Sequence, residues 1–221
     1  IVFGSAYADM RLAPYLFAVG LVAIRPPDGG GRRFAAWLGL AGLAFFLART
    51  GATTASMALY DRAWDRELAA LDHVPRGARL VSFVGRPCRE PWAMSRLVHL
   101  PGLALVRREA FANDQWTMAG AQLLRVRYRD GWPFIRDPTQ IVTRRRCRWE
   151  VWRPIALALD SFPRDAFDYA WLINPPPYDP KLATGLRPVW RDGRSVLYRV
   201  EGDPSSANSD TPNGSGTRPT R

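Results

Sequence analysis

Charge is nearly absent from two stretches close to the start of this chain and plentiful after them. Between Arg11 and Arg25 lies LAPYLFAVGLVAI, thirteen residues without a charge, and between Arg33 and Arg49 lies FAAWLGLAGLAFFLA, fifteen more. At the helical rise these cover about 20–23 Å of a ~30 Å hydrocarbon core. Tyr7 and Ala8 extend the first run. Thr50 to Tyr60 continue the second past Arg49, whose long side chain can snorkel. Two readings are open, a buried hairpin of soluble helices or a pair of spans. The second run is apolar on every face, whereas a surface helix shows a stripe, and no alternating polar face begins before Asp61. This favours two transmembrane helices, about 9–26 and 33–60, in a membrane region 1–60. The joining turn, RPPDGGGRR at 25–33, sets three arginines against Asp28. The positive-inside rule then predicts a cytoplasmic turn, with everything after Tyr60 outside. In a bacterium that means the inner membrane, with a periplasmic C-terminal domain.

Past the second run, Met57, Tyr60, Trp64, Leu68 and Leu71 recur at helical spacing among Asp61, Arg62, Asp65, Arg66 and Glu67. The pattern predicts an amphipathic linker helix over 57–72, continuous with the second span and broken by Pro75 and Gly77. The remainder, to 201, reads as an α/β domain. Strands are expected at Arg79–Val84, Leu103–Val106, Ala121–Tyr128 and Phe167–Asn174, and helices at Glu90–Leu100 and Trp149–Phe162. Asp192-Gly193 between apolar runs predicts a C-terminal β-hairpin. The fold class expected is therefore α/β: two N-terminal transmembrane helices, then a small Rossmann-like extracytoplasmic domain. The tail 202–221 lacks Ile, Leu, Val and aromatics and reads as disordered.

The net charge is +11, yet Lys181 is the only lysine among 31 basic residues. Nucleic-acid binders usually mix the two; an arginine-only excess fits high-GC coding and membrane topology, so no nucleic-acid partner is expected. Arg144–Arg146 and Arg148 beside Trp149 and Trp152 form either a footprint for phosphate groups or single strands, or a solvated face. Phosphate-loop, dinucleotide, zinc-protease and nucleophile-elbow motifs are absent. His73 and His99 have no second ligand at metal spacing, so neither a metal nor a cofactor is expected. Cys88 and Cys147 fall in the part expected outside, where thiols oxidise. They read as a disulfide or as two buried thiols, with a Cys–His99 nucleophile pair as the minor alternative. Asp9 and Arg11 form a charged pair at the outer mouth of the first span, either an interfacial anchor or a functional group. The chain starts at Ile1 rather than Met, which reads as processing or as a piece of a longer protein.

The string YADMRLAPYLFAVGLVAI resembles the late membrane region of the GT-C superfamily, multi-pass glycosyltransferases that use polyprenyl-phosphate sugars. Members place an Arg-x-x-Pro-like segment outside the membrane just before a late span, matched here by Arg11 to Pro14, and end in a periplasmic domain. The strings DAFDYAWLINPPPYDP and LRPVWRDGRSVLYRV are similar to the ends of such bacterial proteins. The resemblance implies the C-terminal portion of a membrane glycosyltransferase-like protein, with its catalytic acidic residues upstream and no catalytic residue here. It implies Arg11 and Asp9 as substrate-binding residues facing a lipid phosphate, and as partners the bilayer and a polyprenyl-phosphate-linked sugar. Two other readings of the residues stand beside it. One is a non-catalytic, membrane-tethered periplasmic module that binds a partner or anionic head groups. The other is a soluble basic α/β protein acting on nucleic acid.

Overall fold

The computed structural model describes residues 8–23, 31–89, 97–115, 126–135 and 139–201, with side chains from residue 12 onward. Most of the turn expected at 25–33, most of the helix expected at 90–100, the first part of the strand expected at 121–128 and the tail 202–221 lie outside the described residues. Two structural units meet in the chain between Ala63 and Trp64.

The first unit is helical. Helix α1, Ala8–Ala23, has 16 residues with Pro14 inside it. Helix α2, Gly31–Leu68, has 38 residues and runs unbroken through the second apolar run into the amphipathic stretch. The segment Gly31–His73, with a window of mean hydropathy 1.4, is the one helix among the described residues long and apolar enough to cross a membrane; Leu12–Ala23 is apolar but shorter. Phe34, Trp37, Leu38, Leu40, Leu43, Phe45 and Phe46 are all exposed along α2. Burying each such side chain contributes about 1.5–3 kcal/mol, so a bare helix of this kind is incomplete without an apolar environment.

The second unit is a mixed sheet with helices on both faces. Its strands are β1 (Arg79–Gly85), β2 (Phe111–Ala112), β3 (Ile141–Thr143), β4 (Arg153–Pro154), β5 (Tyr169–Ile173), β6 (Leu186–Asp192) and β7 (Ser195–Val200). The order is β4-β3-β1-β5-β7-β6, with β2 also on β1. The first five strands are mutually parallel, and β7 and β6 close one edge antiparallel through the hairpin at Gly193, whose φ is +52°. Leu80, Val84, Trp171, Ile173 and Leu197 face the end of α2 (Leu68), a 3₁₀ turn at Ala69–His73 and helix α3, Leu103–Arg108. Val81, Phe83, Ala170, Leu172, Val196 and Tyr198 face helix α4, Ile155–Ser161. Strands covered on both faces are apolar throughout, which is why β1 and β5 show no alternation.

One edge of β1 is shared. Strand β2 pairs at Arg79 and Leu80, and β3 at Val84 and Gly85. The gap between them is closed by a side chain. Asn113 Oδ1 accepts from the Ser82 N–H (2.7 Å) and Ser82 Oγ (2.7 Å), and Asn113 Nδ2 donates to the Ser82 carbonyl (3.2 Å). An amide side chain thus supplies the donor and acceptor that a neighbouring strand would supply.

The described end of the strand expected at 121–128, residues 126–128, is irregular backbone, and two further expectations need correction. Leu103–Val106 is not a strand but the start of α3. Ala104 is buried while Val106 is exposed, and Arg107 and Arg108 suit the negative end of a helix; a four-residue apolar run does not distinguish the two states. The helix expected from Trp149 begins only at Ile155. Pro154 disfavours helical backbone at Arg153, and the two residues pair with β3 instead.

Candidate functional site

From β1 the chain builds outward through β2, β3 and β4 on one side, then crosses to β5 on the other. In open α/β sheets this reversal opens a crevice beyond the carboxyl ends of the two central strands, where ligands bind. Here the backbones there run very close. A Cβ on Gly85 would lie 2.1 Å from the Asn174 carbonyl oxygen, so only glycine fits. Asn174 has a φ of +43°, a left-handed conformation that asparagine tolerates better than most residues.

A cavity of about 460 Å³ opens at this point. Its lining comes from the loops after β1 (Gly85–Cys88), after β3 (Arg144, Arg145) and after β5 (Asn174, Pro176, Pro177), and from Arg194 in the hairpin turn. Four arginines converge there, and among the described residues no carboxylate lines it. The Arg86 guanidinium lies 4.8 Å over the Trp152 ring, just before β4. Arg194 donates to Asn174 Oδ1. The Asn174 N–H donates to Ser195 Oγ (2.8 Å), which donates to Glu67 Oε1 near the end of α2 (2.8 Å). Burial pushes the Glu67 carboxyl above the ordinary range; the Ser195 hydrogen bond opposes this, Asp192 adds to it and Arg66 subtracts. Guanidinium groups in a concave site bind oxyanions, bidentately where geometry allows.

Cys88 and Cys147 are joined in a disulfide with Cα atoms 5.4 Å apart. It ties the loop carrying Arg86 to the loop carrying Arg144 and Arg145. With both sulfurs bonded, neither can serve as a nucleophile beside His99. The basic-aromatic stretch divides: Arg144 and Arg145 reach the cavity, whereas Arg148 stacks over the exposed Trp149 at 4.8 Å. Asp9 and Arg11 belong to α1, and their side chains lie outside the described residues. No group of three or more potential metal ligands occurs among the described residues. Sequence reasoning missed Gly85, Arg86, Asn174 and Arg194; each stands at or just beyond a strand end, in GRPC, INPPP or DGR, and only the strand order brings them together.

A second cavity of about 460 Å³ lies at the opposite end of the same strands, lined by Arg76, Arg79, Arg164 and Arg199 together with Asp165 and Asp168. Arg79 donates from Nε (3.1 Å), Nη2 (2.6 Å) and its backbone N–H (2.8 Å) to the Asp168 carboxylate. These bonds hold the Asp168 carboxyl below its usual range. Arg76 pairs with Glu109, and Arg164 donates to the Thr184 and Leu182 carbonyls. Compared with protein-family models, with curated proteins and with solved structures, the chain has no match.

Proposed function

We propose that this chain is a membrane-tethered binding module whose α/β domain takes an anionic ligand outside the cytoplasmic membrane. One observation carries the ligand: four arginines and no carboxylate, among the described residues, around the switch-point cavity. The tether is supported by the exposed apolar length of α2. The extracytoplasmic side is supported by the Cys88–Cys147 bridge, since such bonds persist mainly in oxidising compartments. In the test, the chain in detergent gains thermal stability with inorganic phosphate, and Arg144→Gln with Arg145→Gln removes the gain. The chain stays in the membrane fraction after carbonate washing, and a reporter fused after Glu201 is active in the periplasm. Indifference to phosphate would refute the ligand, and a detergent-free soluble monomer would refute the tether.

The wider setting we propose is a GT-C-like, polyprenyl-phosphate-dependent glycosyltransferase, for which this chain supplies late membrane and periplasmic parts while the chemistry lies elsewhere. The segment Arg11–Pro14 supports it. A guanidinium matches a lipid phosphate bidentately and an ammonium does not, whereas both anchor equally well. In an intact transferase, Arg11→Lys therefore lowers turnover about 10-fold at unchanged abundance. Wild-type turnover in that variant ends the role of Arg11.

A further inference from the structure

We propose that the loop joining β3 to β4, residues 144–152, docks the α/β domain on the bilayer surface, with Trp149 and Val151 in the interfacial layer and Arg146 and Arg148 on anionic phospholipid headgroups. This rests on the reading of α2 as a membrane tether and names the surface that the tethered domain touches. The carrying observation is a pair of exposed apolar side chains on a basic loop. Trp149 is 83% and Val151 84% exposed, more than any other large apolar residue described in the α/β domain. From Arg144 to Val151 only Cys147 is buried. Its disulfide to Cys88 ties the middle of the loop to the domain and leaves the flanking side chains exposed. The Arg148 guanidinium lies 4.8 Å over the Trp149 ring. An indole with a cationic head beside it suits a water–hydrocarbon boundary, where the ring sits at headgroup level and the guanidinium stays with the phosphates.

Charge selects the partner. The loop sets Arg144, Arg145, Arg146 and Arg148 against one acid, Glu150. Among the described residues none of these four guanidinium groups is paired with a carboxylate. Arg144 and Arg145 line the cavity, whereas Arg146 and Arg148 do not. The loop leaves the carboxyl end of β3, and the chain enters the α/β domain at the same end of the sheet, where Glu67 accepts from Ser195 Oγ beside Asn174. A protein partner would also use tryptophan and arginine. The bilayer is favoured because the exposed apolar length of α2 holds the domain to it, which gives the lipid surface a high effective concentration. A contact too weak to recruit a free protein is then occupied.

The test uses the full chain in nanodiscs of phosphatidylcholine, alone or mixed with phosphatidylglycerol, with amide hydrogen exchange read by mass spectrometry. Peptides covering 144–152 are expected to exchange about 10-fold more slowly with phosphatidylglycerol than without it, while α4, Ile155–Ser161, is unchanged. An anionic surface gives each basic side chain about 1 kcal/mol, so Arg146→Gln with Arg148→Gln is expected to weaken docking about 30-fold and remove the slowing. Trp149→Ser with Val151→Ser removes it too. All four side chains are exposed and none lines the cavity, so both variants keep the phosphate gain in thermal stability. Slowing of equal size in phosphatidylcholine alone refutes the anionic surface, and slowing untouched by either variant refutes the assigned residues. No slowing in either nanodisc, with the phosphate gain intact, refutes docking and leaves the anion site standing. Slowing without a phosphate gain does the reverse. Slowing confined to native membrane vesicles assigns the face to a protein and refutes the lipid. A chain that stays out of both nanodiscs overturns tether and docking together.

Discussion

The two ends of the sheet carry cavities of equal size, about 460 Å³, each lined by four arginines, and they are chemically unlike. At the amino ends of β1 and β5, Asp165 and Asp168 share the lining, and Arg79 and Arg164 are engaged by a carboxylate and by carbonyls. At the carboxyl ends no carboxylate lines the cavity among the described residues, and the loops are held by a disulfide and a ring contact. Arginine number therefore says little about anion binding in so arginine-rich a chain. What differs between the two ends is whether a carboxylate lines the cavity among the described residues, and whether the loops are tied by something other than those arginines.

The contrast is broken most severely by removing the bridge. Cys88→Ser with Cys147→Ser opens a loop with a sequence separation of 59, and chain entropy puts the loss at about 4 kcal/mol. Denaturant unfolding should report that loss. In whatever fraction stays folded, the phosphate response should fall while the Arg79–Asp168 pair persists. Next comes a pair of glycines, one at each cavity. Gly85→Ala forces a methyl into the Asn174 carbonyl and should cost ~3 kcal/mol or more. Gly77→Ala meets open space and costs only the left-handed strain of its +76° φ, about 1 kcal/mol. Equal costs would mean that the close approach of β1 and β5 is wrong.

Asp168→Asn tests the other end. Arg79 and Asp168 side chains are 42% and 38% exposed, so solvent screening limits the loss to about 1 kcal/mol. Because the folded carboxyl value is lowered, this stabilisation is present above pH ~4 and lost as pH falls through the folded value. The variant should therefore lose the acid limb of the stability profile and leave the phosphate response intact. The smallest effect is expected from Glu67→Gln, about 0.5 kcal/mol. Its carboxyl is raised by burial, so the sign is opposite: wild type is favoured at low pH and penalised as pH rises through the folded value. The variant should gain on wild type between pH 4 and 7, measured by urea midpoints.

Local signals made much of this architecture legible. β1, β5 and the hairpin follow from apolar runs bounded by Gly, Pro and Asp-Gly, and the unbroken α2 follows from charge-free sequence running into a stripe. The failures share one cause. Leu103–Val106 and Trp149–Pro154 are short segments whose state is decided by neighbours distant in the chain, β1 for α3 and β3 for β4. The cavity was illegible for the same reason. Arg86, Arg144 and Arg194 are unremarkable in sequence, and strand order alone makes them neighbours. Only the basic stretch at 144–148 gave a signal, and Arg148, stacked on Trp149, does not line the cavity.

The Asn113 amide that completes the edge of β1 has an evolutionary consequence. That edge is sealed by one side chain together with the Gln140 carbonyl, which accepts from the Val84 N–H. Descendants of this domain should therefore keep an amide at position 113, because its loss would leave the donor and acceptor of the buried Ser82 unpaired.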